Sequence, residues 1–138
     1  LKEVYKAEEI LNKFLEEVKN KYKLNNNQII LSGFSQGCMM SINVGFTSEK
    51  AFKCIVGFSG KIINVEDLRI RKKNLTKTLL IHGDLDDIVS PTHLLEAKDF
   101  LLREKVEVEA ELIKNCGHNI PIEASSIALQ YILKKLNS

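Results

Sequence analysis

Apolar residues recur at steps of three and four along the first part of the chain, with lysine and glutamate between them. This pattern predicts an amphipathic helix from about Lys2 to Lys23, ended by the asparagines at 25–27. A short coiled coil is an alternative, but the pattern covers only about three heptads before the period changes, which favours packing on a sheet. The apolar positions are Val4, Ala7, Ile10, Leu11, Phe14, Leu15, Val18 and Tyr22.

Three short apolar segments further along end in glycine turns and show no alternation. They lie at 28–33, 53–60 and 78–84, and are typical of strands covered on both faces. A fourth segment, 106–112, alternates strictly between apolar and polar residues and predicts a strand with one exposed face.

Helical patterns separate these segments. Residues 36–46 are apolar around most of the circumference, which indicates a buried helix. Ser90 and Pro91 predict the start of a helix to about Arg103, and Asn119 with Pro121 opens a last helix. Alternating strands and helices require parallel pairing through right-handed crossovers. We therefore expect a single α/β domain over 1–138, a parallel sheet with helices on both faces.

Composition narrows the class of protein. The net charge of +2 gives no broad attraction to nucleic acid, and the basic residues at 69–77 are interpreted as a solvated loop. Three cysteines without a framework spacing suit a reducing compartment. The longest apolar runs are short for a membrane span and no signal peptide is recognisable, so we expect a cytoplasmic protein without stable membrane insertion. No cluster of His, Cys and carboxylates has ligand spacing, and no metal or organic cofactor is expected.

The segment Gly33-Phe34-Ser35-Gln36-Gly37 fits the pattern GxSxG at a strand-to-helix junction. Such a corner exposes the serine hydroxyl and directs a helix N-terminus at it. We interpret both glycines as steric requirements, because strand and helix approach closely while the serine takes an unfavourable backbone conformation. An ordinary glycine turn is the alternative.

A serine hydroxyl needs a neighbouring base, and the base needs an orienting acid. His118 lies in a glycine-containing loop after the last strand, whereas His82 ends a strand and His93 begins an exposed helix. His118 is therefore the favoured base. Acids follow the third strand at Asp84, Asp86 and Asp87. The chain order serine, aspartate, histidine is that of α/β-hydrolases.

These residues resemble the serine hydrolases grouped as acyl-protein thioesterases, phospholipases and carboxylesterases. The nucleophile motif GFSQG of that family occurs letter for letter at 33–37. The family's acid motif HGxxDxxV matches His82, Gly83, Asp86 and Val89, which selects Asp86 among the three acids. Ser90 stands where the family has proline. Gly117-His118 matches the loop that carries the family's histidine.

The chain departs from the family before the serine. Members carry several more N-terminal strands, including an HG-type loop that supplies the first oxyanion donor, and nothing here corresponds to it. Only the second donor, the N–H of Gln36, remains. The strand before Ser35 would then lie at a sheet edge with unpaired backbone groups. Either the missing part is supplied elsewhere, or the chain pairs along that edge with itself, as a homo-oligomer, or with another chain.

The resemblance implies an α/β-hydrolase fold lacking its N-terminal strands and a hydrolase of acyl esters or thioesters. Ser35 would be the nucleophile, His118 the base, Asp86 the orienting acid and Gln36 N–H the oxyanion donor. The apolar loop with Ile62, Ile63 and Val65 is a candidate acyl contact, although core packing explains it equally well. The alternatives are a catalytically inactive remnant or interaction module, and a peptidase on the same scaffold.

Overall fold

The computed structural model describes every residue from Leu1 to Ser138. Strands and helices alternate along the chain, as the periodicity predicts, and a 3-10 turn at Asn26–Gln28 precedes the first strand. The bounds of the elements are α1 Lys2–Tyr22, β1 Ile30–Phe34, α2 Gln36–Thr47, β2 Cys54–Phe58, α3 Val65–Arg71, β3 Thr78–Gly83, α4 Thr92–Arg103, β4 Val108–Ile113 and α5 Ile122–Leu136.

The four strands form one parallel sheet in the order β1-β2-β3-β4. The predicted α/β class is confirmed. Each crossover moves to the next strand in sequence, so the carboxyl ends of all four strands lie along the same rim. β1 has a partner on one side only, and the strand that leads to Ser35 is therefore an edge strand.

Side chains from the two faces of the sheet enter two separate cores. Ile55 and Leu80 point to a core shared with α2 and α4, which contains Ile42 and Phe100 among others. The neighbouring strand residues point to the opposite core, which α5 covers. This alternation places α2 and α4 on one face and α5 on the other, as expected for a sheet with helices on both faces.

Helix α1 differs from the prediction in what it packs against. It lies on α2, and Ile10, Phe14 and Tyr22 of its apolar stripe stay 70, 59 and 61% exposed. Its one buried residue is Glu8, at 4% exposure. A helix that packs on another helix covers a narrower strip than one that packs on a sheet, which explains the exposed part of the stripe.

The buried Glu8 is held by an arginine that the sequence assigns to a solvated loop. Arg71 pairs with Glu8 and, at 3.0 Å, with Asp67. Asn43 Nδ2 donates a further hydrogen bond to Glu8 at 3.0 Å. The interpretation of this residue as part of a solvated loop is thus wrong for Arg71. A buried carboxylate needs a charged partner, and Arg71 is the partner of Glu8.

The ends of several elements also differ from the sequence expectation. α4 begins at Thr92 with Pro91 in the cap position, and Ser90 Oγ accepts a hydrogen bond from Thr92 N–H at 3.3 Å. α3 spans Val65–Arg71, and the Asn64 side chain caps its start by accepting a hydrogen bond from Asp67 N–H. None of the helices combines the length and the apolar character that a bilayer crossing requires.

Candidate active site

Ser35 occupies a sharp corner between β1 and α2. Its backbone angles are φ 56° and ψ −116°, a conformation that residues with a Cβ rarely adopt. The Ser35 N–H donates to Phe58 O at 2.8 Å, which ties the corner to the neighbouring strand. The serine is partly exposed at the carboxyl rim of the sheet.

The two glycines of the motif are not equivalent. A Cβ on Gly33 would lie 2.2 Å from the Gly37 carbonyl carbon and 2.7 Å from Cys38 N, both backbone atoms that cannot move aside. A Cβ on Gly37 would have no heavy atom within 4 Å. Glycine is therefore sterically required at position 33. The expectation that it is also required at position 37 is wrong, because a Cβ there would meet no other atom.

His118 lies between Ser35 and Asp86. Its Nε2 is 3.1 Å from Ser35 Oγ, and its Nδ1 is 2.7 Å from Asp86 Oδ2. Because a carboxylate only accepts, Nδ1 carries the proton and Nε2 is left to accept from the serine hydroxyl. The loops after β1, β3 and β4 thus bring the three sequence-predicted residues into one hydrogen-bonded series.

Asp86 is fixed by backbone as well as by His118. Its Oδ1 accepts from the N–H groups of Ile88 and Val89, both at 2.9 Å. Burial raises the pKa of Asp86, but the hydrogen bonds from His118, Val89 and Ile88 together outweigh that effect and leave the pKa below its ordinary value. The group therefore stays ionised and keeps its charge toward the imidazole.

His82 and Gly83 shape the loop that carries Asp86. His82 is buried, and its Nε2 donates to Val89 O at 2.8 Å. A Cβ on Gly83 would lie 2.3 Å from Cys116 O, so this glycine lets the loop that carries His118 approach β3. His82 thus holds the loop that carries Asp86 in place through its hydrogen bond to Val89. Of the other acids, Asp84 accepts from Cys116 N–H at 3.3 Å, whereas Asp87 is exposed.

Phe34 is a site residue that the sequence analysis did not single out. Its ring centroid lies 4.7 Å from that of His118, with the planes tilted by 44°. The aromatic ring limits where the imidazole can move. The one sequence feature that could have identified Phe34 is its position in the motif, directly before Ser35. Its contact with His118, more than eighty positions away, depends on how two loops pack together.

Gln36 and the apolar loop after β2 complete the set of predicted site residues. Gln36 is the first residue of α2, so its N–H has no acceptor within the helix. Ile62 is 8% exposed and packs in the core shared with α2 and α4, so core packing accounts for this residue. Ile63 is half-buried and Val65 is 39% exposed.

A second Gly-Phe-Ser corner ends β2. Ser59 has φ 56°, the same value as Ser35, and its N–H donates to Ile81 O at 2.8 Å. Unlike Ser35, Ser59 is buried, at 2% exposure. Two adjacent strands thus end in Gly-Phe-Ser corners whose serines have the same φ, and the corner at Ser35 is the one that carries a hydrogen bond to a histidine.

Similarity to known proteins identifies the family of this chain. The model of the phospholipase/carboxylesterase family matches residues 2–136. The chain belongs to the phospholipase/carboxylesterase family. Among solved structures, esterase PE8 superposes with a TM-score of 0.93 at 30% identity, over 95% of this chain and 61% of that chain. The carboxylesterase of Bacillus cereus, at 22% identity and a TM-score of 0.80 over 96% of this chain, shares the fold.

A curated relative points to the same family. Acyl-protein thioesterase 1 of Yarrowia lipolytica is 30% identical over 82 residues, which are 56% of this chain and 36% of that protein. The chain spans about 61% of the length of esterase PE8 and of the Bacillus cereus carboxylesterase.

Proposed function

We propose that this family member is a serine hydrolase that cleaves carboxylic esters or acyl thioesters. The observation that carries the proposal is the continuous series of hydrogen bonds from Ser35 Oγ through His118 to Asp86, with separations of 3.1 and 2.7 Å. A serine hydroxyl is a weak nucleophile unless a base oriented in this way removes its proton. The phospholipase/carboxylesterase family and the thioesterase relative support esters and thioesters as the substrate class.

In the first half of the reaction, Ser35 Oγ attacks the acyl carbonyl carbon and gives its proton to His118 Nε2. Asp86 holds the imidazole by its Nδ1 proton and stabilises the charge that forms on the ring. The tetrahedral intermediate expels the alcohol or thiol, which takes the proton from His118. An acyl group remains on Ser35.

In the second half, a water molecule replaces the leaving group. His118 Nε2 accepts a proton from the water as its oxygen attacks the acyl carbon. The intermediate then breaks the bond to Ser35 Oγ, which recovers the proton, and the carboxylic acid leaves. Atoms and charge return to the starting state.

The Gln36 N–H is the proposed donor to the oxyanion in both intermediates. It lies at the N-terminus of α2, where the helix dipole also favours negative charge. Loss of one oxyanion donor typically lowers turnover by about 100-fold to 1000-fold. We expect slow turnover from this chain alone, because the loop that supplies the family's other oxyanion donor has no counterpart in these 138 residues.

The alternative function is that of an inactive hydrolase remnant or an interaction module that keeps the family's residues. The two functions differ in one observable property, the reactivity of the Ser35 hydroxyl.

A fluorophosphonate probe, which phosphonylates an activated serine, tests this difference. We expect the wild-type chain to be labelled and Ser35→Ala to show no labelling. Ser59→Ala is the matched control, because Ser59 has the same φ in the second Gly-Phe-Ser corner and should be dispensable for labelling. Absence of labelling on a wild-type sample that is folded by circular dichroism would support the inactive alternative.

Substrate class is measured separately. p-Nitrophenyl esters, acyl thioesters and peptide amides of matched acyl length should be offered to the wild-type chain and to Ser35→Ala. We expect hydrolysis of the esters or thioesters, dependent on Ser35, and none of the amides. Preferential amide hydrolysis would indicate a peptidase instead.

The proposed location is the cytoplasm. Cys38, Cys54 and Cys116 are all free and buried, and free thiols persist in a reducing compartment. Burial raises the pKa of the Cys38 thiol to about 12, so this cysteine is unreactive beside the nucleophile corner.

A further inference from the structure

His82 is a buried polar side chain that has no part in the reaction described above. It lies near the end of β3 and is 2% exposed. Leu80, two residues earlier, enters the core shared with α2 and α4, so His82 faces the same side of the sheet. A buried polar group is unfavourable unless it is hydrogen-bonded, and an apolar residue would fill this position more readily. The partners of the imidazole therefore indicate its role.

Two oxygen atoms of the acid loop, residues 84–91, lie close to His82 Nε2. The Val89 carbonyl oxygen accepts the hydrogen bond from Nε2 at 2.8 Å, and Asp86 Oδ2 is 3.3 Å from the same nitrogen. A carbonyl and an ionised carboxylate can only accept, so Nε2 carries the proton of the ring. Its N–H therefore lies beside the carboxylate oxygen that contacts His118 at 2.7 Å.

The carboxylate of Asp86 is completely buried and is held at both of its oxygens. Oδ1 accepts from the N–H groups of Ile88 and Val89, and Oδ2 has both imidazoles within 3.3 Å. His82 acts on each oxygen. It binds the carbonyl of Val89, the residue whose N–H binds Oδ1, and it contacts Oδ2 directly. These contacts restrict rotation of the carboxylate away from His118.

We propose that His82 is a positioning residue, which holds the Asp86 carboxylate so that Oδ2 faces His118 Nδ1. This inference rests on the proposed function, in which His118 acts as the base for Ser35. A displacement of about 1 Å in a catalytic group costs about 100-fold in rate, so the group that fixes the acid contributes to the reaction without touching the substrate. Without His82, the Val89 carbonyl loses its buried donor and Oδ2 loses its second contact.

Two substitutions at position 82 separate positioning from packing. His82→Phe keeps a buried aromatic ring without the donor, and His82→Gln keeps a side-chain N–H. We expect His82→Phe to slow fluorophosphonate labelling of Ser35 by about tenfold or more, and His82→Gln to stay within about threefold of the wild type. His93→Phe is the matched control, because His93 contacts Glu96 in the first turn of α4, and it should keep the wild-type rate. Circular dichroism checks that each variant is folded.

Nuclear magnetic resonance of isotope-labelled histidine tests the same contacts without any reaction at Ser35. In the wild type we expect His82 to carry its proton on Nε2 and His118 to carry a slowly exchanging proton on Nδ1. His82→Phe should speed the exchange of the His118 Nδ1 proton with water, because Asp86 then holds it less firmly. His93→Phe should leave that exchange unchanged.

The two measurements distinguish this proposal from the proposed function. A folded wild-type chain that is not labelled would contradict the hydrolase function, and the exchange of the His118 proton would still test the position of Asp86. Three results would overturn the role of His82: a wild-type ring protonated on Nδ1 instead of Nε2, wild-type labelling and proton exchange in His82→Phe, or an equal loss of labelling in His82→Phe and His82→Gln. The first needs no variant, so it decides even where a substitution prevents folding.

Discussion

At Asp86, burial and hydrogen bonding act on the carboxylate in opposite directions. The hydrogen bonds together have the larger effect, so the pKa of Asp86 in the folded chain lies below its value in the unfolded chain. A carboxyl with a lowered pKa adds stability above its unfolded pKa of about 3.9, and that stability is lost as the pH falls through the folded pKa.

The expected result is a difference in acid sensitivity. Between pH 6 and pH 3, the free energy of unfolding in urea should fall further for the wild type than for Asp86→Asn, which has no carboxyl to protonate there. Asp87→Asn removes an exposed carboxylate from the same loop and should keep the wild-type fall. Equal falls in the wild type and Asp86→Asn would contradict the effect of the hydrogen bonds on this group.

The sequence identifies the residues of this site better than their contacts. The GxSxG motif and the chain order favour Ser35 and His118, and the family resemblance selects Asp86 among three acids. The structure joins these residues by hydrogen bonds. The ring of Phe34 against His118 has no counterpart in a local pattern, because two loops far apart in the chain form the contact. The catalytic roles themselves stay a prediction until the labelling of Ser35 is measured.

At the scale of elements, the junction of β1 and α2 depends on one glycine of the GFSQG motif. A Cβ on Gly33 would meet the backbone of Gly37 and Cys38, whereas a Cβ on Gly37 would lie in open space. We expect Gly33→Ala to separate strand and helix, to lower the melting temperature by at least about 5 °C, and to abolish probe labelling. Thermal unfolding and fluorophosphonate labelling check the two effects.

Gly37→Ala is the matched substitution for that experiment. Alanine is favoured over glycine within a helix by up to about 1 kcal/mol, and position 37 lies in the first turn of α2. The variant should therefore be at least as stable as the wild type. A loss of stability equal to that of Gly33→Ala would show that both glycines are required, as the motif by itself indicates.

For the whole molecule, the attachment of α1 depends on a buried charge. Glu8 is enclosed by Arg71 and Asn43, which come from α3 and α2. Arg71→Ala would leave the carboxylate buried without its cation. Removal of one partner of a buried pair costs about 3–5 kcal/mol, and the 29% exposure of Arg71 lowers our expectation to about 2 kcal/mol.

Arg69 provides the control on the same helix. It pairs with Glu66, and both side chains are more than half exposed. We expect Arg69→Ala to leave the free energy of urea unfolding close to the wild-type value, because exposed ion pairs contribute little to stability. If the two arginine variants were equally stable, the buried pair would not be what holds α1 against α2 and α3.

The sequence by itself determined the order of elements, the α/β class and the residues of the candidate site, because these depend on periodicity and on short motifs within single segments. The tertiary structure decided the rest. It left the stripe of α1 half-exposed, made Arg71 the partner of a buried carboxylate, put Ile62 in the core and freed Gly37 from steric contact. Each of these outcomes depends on which surfaces meet across the fold, and a local pattern carries no information about its distant neighbours.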